Sequence, residues 1–358
     1  MTDTFAPASG GPSVAWENVS TSSDWPSVSV VMPVLNEARH LAESVGEILA
    51  QNYPGEMELI LALGPSRDAT DSVARELAAS DTRVRLVRNP TGKTPAGLNV
   101  AVQASSHDII ARVDGHGVLL SGYLERAVLL LGRTGAANVG GLMLAVGVTG
   151  FEQAVAKAYC SPVGLGGGSF HVGGQEGPAD SVYLGVFRRE VLQRLGGFNE
   201  HYHRAQDWEL NHRIREAGEL VWFSPDLAVT YRPRSSWAEL SRQFFSTGKW
   251  RREVIRQYPE TISLRYLAPP LAAGAIAAGT LAGVIGSAAD VSLLRCGWLA
   301  PATYFAGVVA ASALEGRGLS WRARAWLPVV LSTVHLSWGS GFLFGGRPDA
   351  GARARAAR

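Results

Sequence analysis

The sequence predicts an α/β protein: a mainly parallel sheet with helices on both faces, followed by long apolar helices near the C-terminal end. Three observations lead to this fold class. Short apolar runs alternate with segments of helical periodicity between residues 28 and 113. These runs are mostly apolar, which is typical of parallel strands buried on both faces. Beyond residue 264 the chain contains three long stretches that are almost free of charge.

The first third of the chain alternates four predicted strands with three predicted helices. The strands are Val28–Met32, Met57–Leu63, Val84–Val87 and Asp108–Val113, and the helices are Ala38–Ala50, a segment through Val73–Leu77 capped by Asp68, and Pro95–Ala104. Ligands bind beyond the carboxyl ends of the strands in such sheets. The polar residues that follow the strands are therefore expected to converge on one site: Asn36, Glu37, Ser66 and Asp114.

Periodicity is weaker after a further predicted strand at Asn138–Val146. A helix is predicted at Asp207–Ala217, followed by strands at Leu220–Phe223 and Ala228–Tyr231. The segment Gly164–Gly174 is rich in glycine and is not expected to be helical. It is either an acceptor-binding loop near the site or a plain flexible connection, and the sequence leaves both open.

Ser236–Tyr258 predicts a long helix that carries both aromatic and basic residues. Such a helix suits a membrane interface, although packing against the rest of the domain would also explain it. Three segments long enough to cross a bilayer follow, at Tyr266–Ala289, Cys296–Leu314 and Ala325–Gly346. The positive-inside rule places the arginines between the second and third segments in the cytoplasm. The third segment is more polar, so it either crosses the bilayer, re-enters it or lies at its surface.

The predicted organisation has five parts. They are a disordered leader (1–26), an α/β catalytic domain (27–235), an interfacial amphipathic helix (236–264), a membrane region (265–346) and a basic tail (347–358). The leader is rich in Ser, Pro and Gly, as disordered segments are. Since no signal-peptide pattern precedes the α/β domain, we expect that domain in the cytoplasm of a multi-pass cell-membrane protein.

Charge is distributed unevenly along the chain. From Arg265 onward there are nine Arg and three acidic residues, whereas the preceding part has 24 basic and 28 acidic residues. A mildly acidic body with a basic apolar tail favours a membrane surface and disfavours nucleic acid. The two cysteines, Cys160 and Cys296, build neither a disulfide framework nor a metal–thiolate cluster, which fits a reducing compartment.

Asp114-Gly115-His116 directly follows the fourth predicted strand. Alternate side chains at a strand end point in the same direction. A carboxylate oxygen beside an imidazole nitrogen suits Mn²⁺ or Mg²⁺. A turn with a capping aspartate would explain the triplet by itself, but its place at the strand end favours a metal site.

A second group of functional side chains, Gln206-Asp207-Trp208-Glu209, opens the predicted helix Asp207–Ala217. Asp207 is the first candidate for a general base and Glu209 the second. Both also have structural explanations. Asp207 could cap the helix, and Glu209 could be a first-turn acid that the helix dipole favours.

Together these motifs resemble glycosyltransferase family 2, and most closely its subgroup that builds succinoglycan-type exopolysaccharides. The likeness covers Val28–Arg256, and the apolar tail also matches that subgroup. It rests on the order of four motifs: Pro33-Val34-Leu35-Asn36-Glu37, Lys93 with Asn99, Asp114-x-His116 and Gln206-Asp207-Trp208-Glu209. The resemblance implies a GT-A type nucleotide-diphospho-sugar transferase fold and an inverting enzyme with a metal-bound donor.

The resemblance also implies roles for single residues. Asp114 and His116 match the metal motif of the family, and Asp207 matches its catalytic base. The expected donor-binding residues are Pro33, Asn36, Glu37, Ser66, Asp68, Lys93, Asn99 and Asp114.

The sequence departs from the family pattern in three places. Leu63-Gly64 stands where many members have an acidic pair that contacts the base of the donor. Tyr231-Arg232 occupies the region where some relatives carry a third His ligand, which leaves His201, His203 or water for that role. Gln243 does not begin the Gln-x-x-Arg-Trp motif of processive synthases, because Phe244, Phe245 and Ser246 follow it. We therefore expect one sugar to be added per encounter.

We therefore expect a hexosyltransferase that moves a sugar from a nucleotide diphosphate sugar to a hydroxyl of a lipid-linked or membrane-proximal glycan acceptor. The nearest alternative is a polyprenyl-phosphate sugar synthase, whose phosphate acceptor is already ionised and needs no general base. An alternative from another class is a catalytically silent nucleotide-sugar-binding scaffold. The presence of Asp114, His116 and Asp207 together disfavours that alternative.

Overall fold

The computed structural model describes residues 25–346. Apart from Trp25 and Pro26, the predicted leader (1–26) lies outside the described residues, as does the predicted basic tail (347–358). Nine strands lie in the described part: β1 (Val28–Val34), β2 (Met57–Leu63), β3 (Val84–Arg88), β4 (Ile109–Arg112), β5 (Val118–Leu119), β6 (Asn138–Ala145), β7 (Gly177–Pro178), β8 (Tyr183–Arg188) and β9 (Val221–Tyr231).

The strands form one sheet in the order β3-β2-β1-β4-β8-β6-β9-β5, with β7 paired to β9. The first four strands are parallel to one another: β1 pairs with β2 and with β4, and β2 pairs with β3. β8 lies antiparallel between β4 and β6, and β6 and β9 are again parallel. The predicted α/β sheet with helices on both faces is confirmed, and its second half mixes strand directions.

Helices cover both faces of this sheet. Along β1, Val30 packs into the apolar cluster under α1, whereas the next residue, Val31, packs into the cluster under α3. Such alternation follows from the two-residue period of a strand. The helices of this part are α1 (Leu41–Leu49), α2 (Thr70–Ser80), α3 (Thr94–Ala104), α4 (Tyr123–Thr134), α5 (Gly150–Tyr159), α6 (Ser169–Val172), α7 (Arg189–Arg194) and α8 (Gln206–Glu216).

β1 continues two residues beyond the predicted end at Met32 and includes Pro33. Proline lacks a backbone N–H and is normally excluded from a central strand. Here the pairing of β1 with β4 ends at Val31, while its pairing with β2 continues to Val34. Val34 offers its carbonyl to Gly64 on the β2 side, so Pro33 faces the side where β4 has already ended. No ladder hydrogen bond is lost, and β1 extends into the site.

The middle of the chain differs most from the prediction. β9 is one strand with an irregular register opposite Gly140–Leu142, where two separate strands were predicted. The helices α4 and α5 and the strand β8 were not predicted. The expectation that Gly164–Gly174 contains no helix is wrong for Ser169–Val172, which forms a single helical turn. A four-residue helix leaves no full period for a sequence pattern to reveal.

Long helices make up the C-terminal part. They are α9 (Trp237–Gln257), α10 (Leu264–Ala288), the short α11 (Ser292–Arg295), α12 (Leu299–Glu315) and α13 (Trp321–Phe344). Three helical stretches are long and apolar enough to cross a membrane: Leu264–Ala288, Ser292–Glu315 and Trp321–Phe344. The predicted association with a membrane rests on these three.

α13 differs from the other two apolar stretches in its packing. In its most apolar stretch of 18 residues, 44% of the residues are buried inside the protein, against 11% in the corresponding stretch of each of the other two. Leu331, Val334 and Trp338 join a core that contains Val155 of α5 and Phe244 of α9. α13 therefore attaches the apolar helices to the α/β domain through α5 and α9.

Candidate active site

A cavity of about 410 Å³ lies at the carboxyl ends of β1 and β4, and we call it the first cavity. Two loops and the start of α8 surround it, as expected for a sheet whose strands end at a common edge. It brings together five of the predicted site residues: Pro33, Glu37, Asp114, His116 and Asp207.

Arg112 links two of these carboxylates. It is the last residue of β4, and its side chain is only 3% exposed. Its guanidinium donates to Asp114 Oδ1 from Nε at 3.2 Å and from Nη2 at 3.0 Å. The Nη1 end of the same group forms an ion pair with Asp207. One buried cation thus holds two carboxylates beside each other and offsets their mutual repulsion.

His116 contacts a carboxylate from the other side of the first cavity. Its Nδ1 lies 2.9 Å from Glu37 Oε1. Burial lowers the pKa of His116, but the bond to Glu37 and the charges of Asp114 and Glu37 outweigh it, so the pKa rises above its ordinary value. The same carboxylates that favour a proton on the ring also favour a cation beside it.

Asp114 and His116 fit a divalent metal as a two-ligand site. The two side chains line the same cavity, and Asp114 keeps one carboxylate oxygen, Oδ2, outside its bonds to Arg112. Within residues 25–346, no group of three or more His, Cys, Asp or Glu side chains is arranged to hold a metal. A metal here would take its remaining ligands from the phosphate oxygens of a bound donor, the arrangement that Mg²⁺ commonly adopts.

Of the two histidines considered as a third ligand, only His203 lines the first cavity. Its ring lies 5.5 Å from that of Trp250. His201 lies 3.5 Å from a carboxylate oxygen of Glu253 and against the same Trp250 ring.

A second cavity of about 530 Å³ adjoins the first. Its wall includes part of the glycine-rich segment, from Gly167 to His171, and residues of α9, α10 and α13. The glycine-rich segment thus lies near the site, as its interpretation as an acceptor-binding loop requires. Aromatic rings supply much of the surface: Tyr159, Phe170, Trp208, Trp250, Tyr266 and Trp338.

Asp207 lines both cavities. It is the second residue of α8, whose N-cap is Ala205 in the left-handed conformation at φ 63°. Asp207 is therefore not the cap of this helix, and its carboxylate is directed to Arg112 instead. The side chain remains 33% exposed, so it can reach a ligand in either cavity.

The sequence of the chain matches known proteins over most of its length. The sequence model of Glycosyl transferase family 2 matches residues 29–196. Succinoglycan biosynthesis protein ExoA of Rhizobium meliloti (strain 1021) is 31% identical over 322 residues, which cover 87% of this chain and 93% of that protein. The chain belongs to glycosyltransferase family 2.

Two further comparisons concern this glycosyltransferase. A Methanococcus voltae protein is 21% identical over 64% of this chain and 74% of its own length; it is named dolichyl N-acetyl-alpha-D-glucosaminyl phosphate 3-beta-D-2,3-diacetamido-2,3-dideoxy-beta-D-glucuronosyltransferase. The solved structure of mannosyltransferase PcManGT from Pyrobaculum calidifontis, in complex with GDP-Man and Mn²⁺, superposes with a TM-score of 0.57. It is 20% identical and covers 89% of this chain and 87% of that chain, which confirms the predicted GT-A fold.

Three predicted donor-binding residues of the glycosyltransferase do not line the first cavity: Asn36, Ser66 and Asp68. They connect loops instead. Asn36 lies at φ 56°; its N–H donates to Ser66 Oγ at 3.1 Å, and its Oδ1 accepts from Arg67 N at 2.8 Å. Asp68 Oδ2 accepts from Ala38 N at 3.3 Å, and Asp68 Oδ1 accepts from Thr70 N at 3.1 Å, next to the first turn of α2. These bonds join the loops after β1 and β2, so the residues shape the wall indirectly.

Lys93 and Asn99 also lie outside the lining, although Gly92 and Thr94 belong to it. Asn99 exchanges two 2.8 Å hydrogen bonds with the backbone of Phe198. It thereby anchors the turn after α7 to α3.

Glu209, the second candidate for the base, is fully buried and lines neither cavity. Its carboxylate accepts from Arg213 at 2.8 Å and from the Tyr258 hydroxyl at 3.1 Å. A carboxylate held in this way joins α8 to the end of α9. This placement argues against a catalytic role.

Arg112, Arg204 and Arg234 line the first cavity and were not recognised from the sequence. Burial, followed by the charge of Arg234, lowers the pKa of Arg204. The sequence does contain an indication for Arg112. An arginine inside a mostly apolar strand is expected to be buried, and a buried arginine needs a charged partner. Arg204 and Arg234 lie in irregular segments, where no periodicity marks which side chains turn inward.

Proposed function

We propose that this glycosyltransferase is an inverting, metal-dependent, non-processive enzyme. It moves a hexose from a nucleotide diphosphate sugar in the first cavity to a hydroxyl of a lipid-linked or membrane-proximal glycan in the second. The observation that carries the proposal is the position of Asp207, which lines both cavities at their junction. A group placed there can contact the acceptor hydroxyl while the donor lies on its other side.

In the proposed reaction the Asp207 carboxylate accepts the proton of the acceptor hydroxyl. The acceptor oxygen then forms a bond to the anomeric carbon as the bond from that carbon to the diphosphate oxygen breaks. The nucleoside diphosphate leaves with the electron pair. Arg112 positions Asp207, and because it also binds Asp114 it fixes the base relative to the donor side.

Asp114 and His116 are the proposed ligands of Mn²⁺ or Mg²⁺. The metal would offset the charge that develops on the leaving diphosphate. Pro33 and Glu37, which line the first cavity, are proposed to contact the nucleoside end of the donor. The structure of PcManGT in complex with GDP-Man and Mn²⁺ supports this choice of cofactor and donor class.

The names of two relatives support the acceptor class. One refers to succinoglycan biosynthesis and the other to a dolichyl-linked sugar phosphate. The apolar helices that follow the α/β domain support an acceptor at the membrane surface. We propose a multi-pass protein of the cell membrane with the catalytic domain (27–235) in the cytoplasm, the interfacial helix (236–264) at the surface and the membrane region (265–346) beyond it.

The test uses purified full-length protein with a panel of labelled nucleotide sugars and lipid extracts. We expect transfer with at least one donor, and we expect EDTA to abolish it and Mn²⁺ or Mg²⁺ to restore it. Full activity in EDTA would contradict the metal assignment.

Substitution of Asp207 separates the proposal from its nearest alternative. Asp207→Ala should lower turnover by about 10²- to 10⁴-fold, the usual contribution of a general base, while nucleotide-sugar binding persists. Unchanged turnover would refute the base and would favour an acceptor that is already ionised, such as a polyprenyl phosphate.

A further inference from the structure

Besides Arg204, which lines both cavities, two arginines line the second cavity alone. Arg251 belongs to α9, and Arg265 is the second residue of α10. Both guanidinium groups lie against the ring of Tyr266, at 3.8 and 5.4 Å from its centre. Neither arginine lines the first cavity.

Neither arginine has an ion-pair partner within residues 25–346. Arg265 donates from Nε to the Leu165 carbonyl at 3.3 Å, and Arg251 lies 4.8 Å from the Trp208 ring centre. The Nη1 atom of Arg251 is buried and has no hydrogen-bond partner in the described protein. Burial, followed by the charge of Arg265, lowers the pKa of Arg251. Two neighbouring cations that lack a counterion are costly unless a ligand supplies the negative charge.

Two other residues that line the same cavity each have a buried polar atom without a partner in the described chain. Trp338 Nε1, which can only donate, and His171 Nδ1 are both buried without a partner among the described residues. Burial, followed by the charge of Arg265, lowers the pKa of His171 to about 3. The ring is therefore neutral near pH 7 and retains one N–H. Together with the two arginines, Trp338 and His171 give this cavity several hydrogen-bond donors, as an anion requires.

Acidic side chains do not cancel this charge. Two of them line the second cavity, Asp207 and Asp180. Asp207 is paired with Arg112, and the side chain of Asp180 is 88% exposed with an oxygen 3.6 Å from Arg215.

The position of the pair relates it to the membrane. α10 is the first helix long and apolar enough to cross, and after Arg265 it contains no charged residue before its end at Ala288. A basic residue at the start of such a helix lies at the level of lipid headgroups. The donor phosphates, in contrast, are assigned to the first cavity beside Asp114 and His116.

From these observations we infer that Arg251 and Arg265 form a binding site for the phosphate or diphosphate headgroup of a lipid-linked acceptor. The lipid chain leaves along α10 and α13, and the sugar of the acceptor extends toward Asp207. This inference rests on the proposed function and adds the chemical class that anchors the acceptor.

The test measures binding to purified full-length protein in detergent, read from tryptophan fluorescence, because Trp208, Trp250 and Trp338 line the cavity. The probes are undecaprenyl diphosphate, uncharged undecaprenol and inorganic diphosphate. We expect undecaprenyl diphosphate to bind at least about tenfold more tightly than undecaprenol. Arg251→Gln and Arg265→Gln should each weaken it about tenfold, the effect of losing one charge-assisted hydrogen bond, and should leave undecaprenol binding unchanged.

Arg242→Gln is the matched control, since Arg242 lies on the same helix, is exposed and lines neither cavity. If Arg251→Gln folds poorly, Arg251→Lys takes its place in the test. Because lysine keeps the positive charge, Arg251→Lys should retain most of the binding of undecaprenyl diphosphate. Equal binding by wild type and both Gln variants would overturn the inference. So would inorganic diphosphate binding as tightly as the lipid, because the site would then serve a free anion.

Nucleotide-sugar binding distinguishes this inference from the proposed function. Arg251→Gln should bind the donor as the wild type does. A loss of donor binding in this variant would assign the arginines to the donor and contradict the inference. If the wild type binds the lipid diphosphate but transfers no sugar, the proposed function fails and the inferred site stands.

Discussion

The carboxylates Asp114 and Asp207 of the first cavity are paired with a cation, whereas the arginines Arg251 and Arg265 of the second cavity lack a carboxylate. In the first, Arg112 bonds to both Asp114 and Asp207, and His116 contacts Glu37. In the second, Arg251 and Arg265 lie beside each other without a carboxylate partner in the described chain. Asp114, Asp207 and the His116–Glu37 pair of the first cavity are thus fixed before a ligand arrives, as preorganised catalytic groups require. In the second cavity, a bound ligand has to supply the negative charge opposite Arg251 and Arg265.

This comparison predicts different costs for removing an arginine from each cavity. Arg112→Gln leaves two neighbouring carboxylates without their cation, so the free energy of unfolding should fall by about 3 kcal/mol. Arg251→Gln removes a cation that has no ion pair, and the change should be within about 2 kcal/mol, the scale of cation–π contacts shielded from water. Both values come from denaturant unfolding in the same detergent.

Equal losses in the two variants would contradict the difference between the cavities. Arg242→Gln again provides the reference for an exposed arginine on the surface of α9.

A smaller effect concerns pH. The pKa of His116 is raised above its ordinary value of 6.5, so its contact with Glu37 stabilises the fold fully below pH 6.5. That contribution is lost as the pH rises through the higher folded value. The side chains are 28% and 19% exposed, so the contribution should be below about 1 kcal/mol.

Glu37→Gln should weaken this dependence, because Asp114 remains as the other carboxylate that raises the pKa of His116. We expect the wild type to lose more stability than the variant, relative to the value at pH 6, when unfolding is measured up to pH 8. Parallel pH profiles would show that the contact contributes nothing.

The first four strands and the edge where they end were predictable because their signals are local. Each strand is a mostly apolar run, and Asp114-Gly115-His116 follows β4 closely. Met57–Leu63 was predicted with its observed limits, since no proline or glycine interrupts it. The family itself could be recognised from the order of the same motifs.

The second cavity could not be predicted, because distant segments build it. Arg251 and Arg265 come from two helices, and the Gly167–His171 wall comes from a segment without periodicity. Sequence spacing does not reveal that α13 packs on α5 and α9 and so closes this space. The roles of Asn36, Ser66 and Asn99 depend likewise on partners about 30 to 100 residues away.

A structure of the full-length protein with a bound, non-transferable nucleotide diphosphate sugar and a divalent metal would test the proposed mechanism most directly. We predict the diphosphate and the metal beside Asp114 and His116, with the anomeric carbon facing the Asp207 carboxylate. A donor whose diphosphate instead lies between Arg251 and Arg265 in the second cavity would contradict both the assignment of the cavities and the role of Asp207.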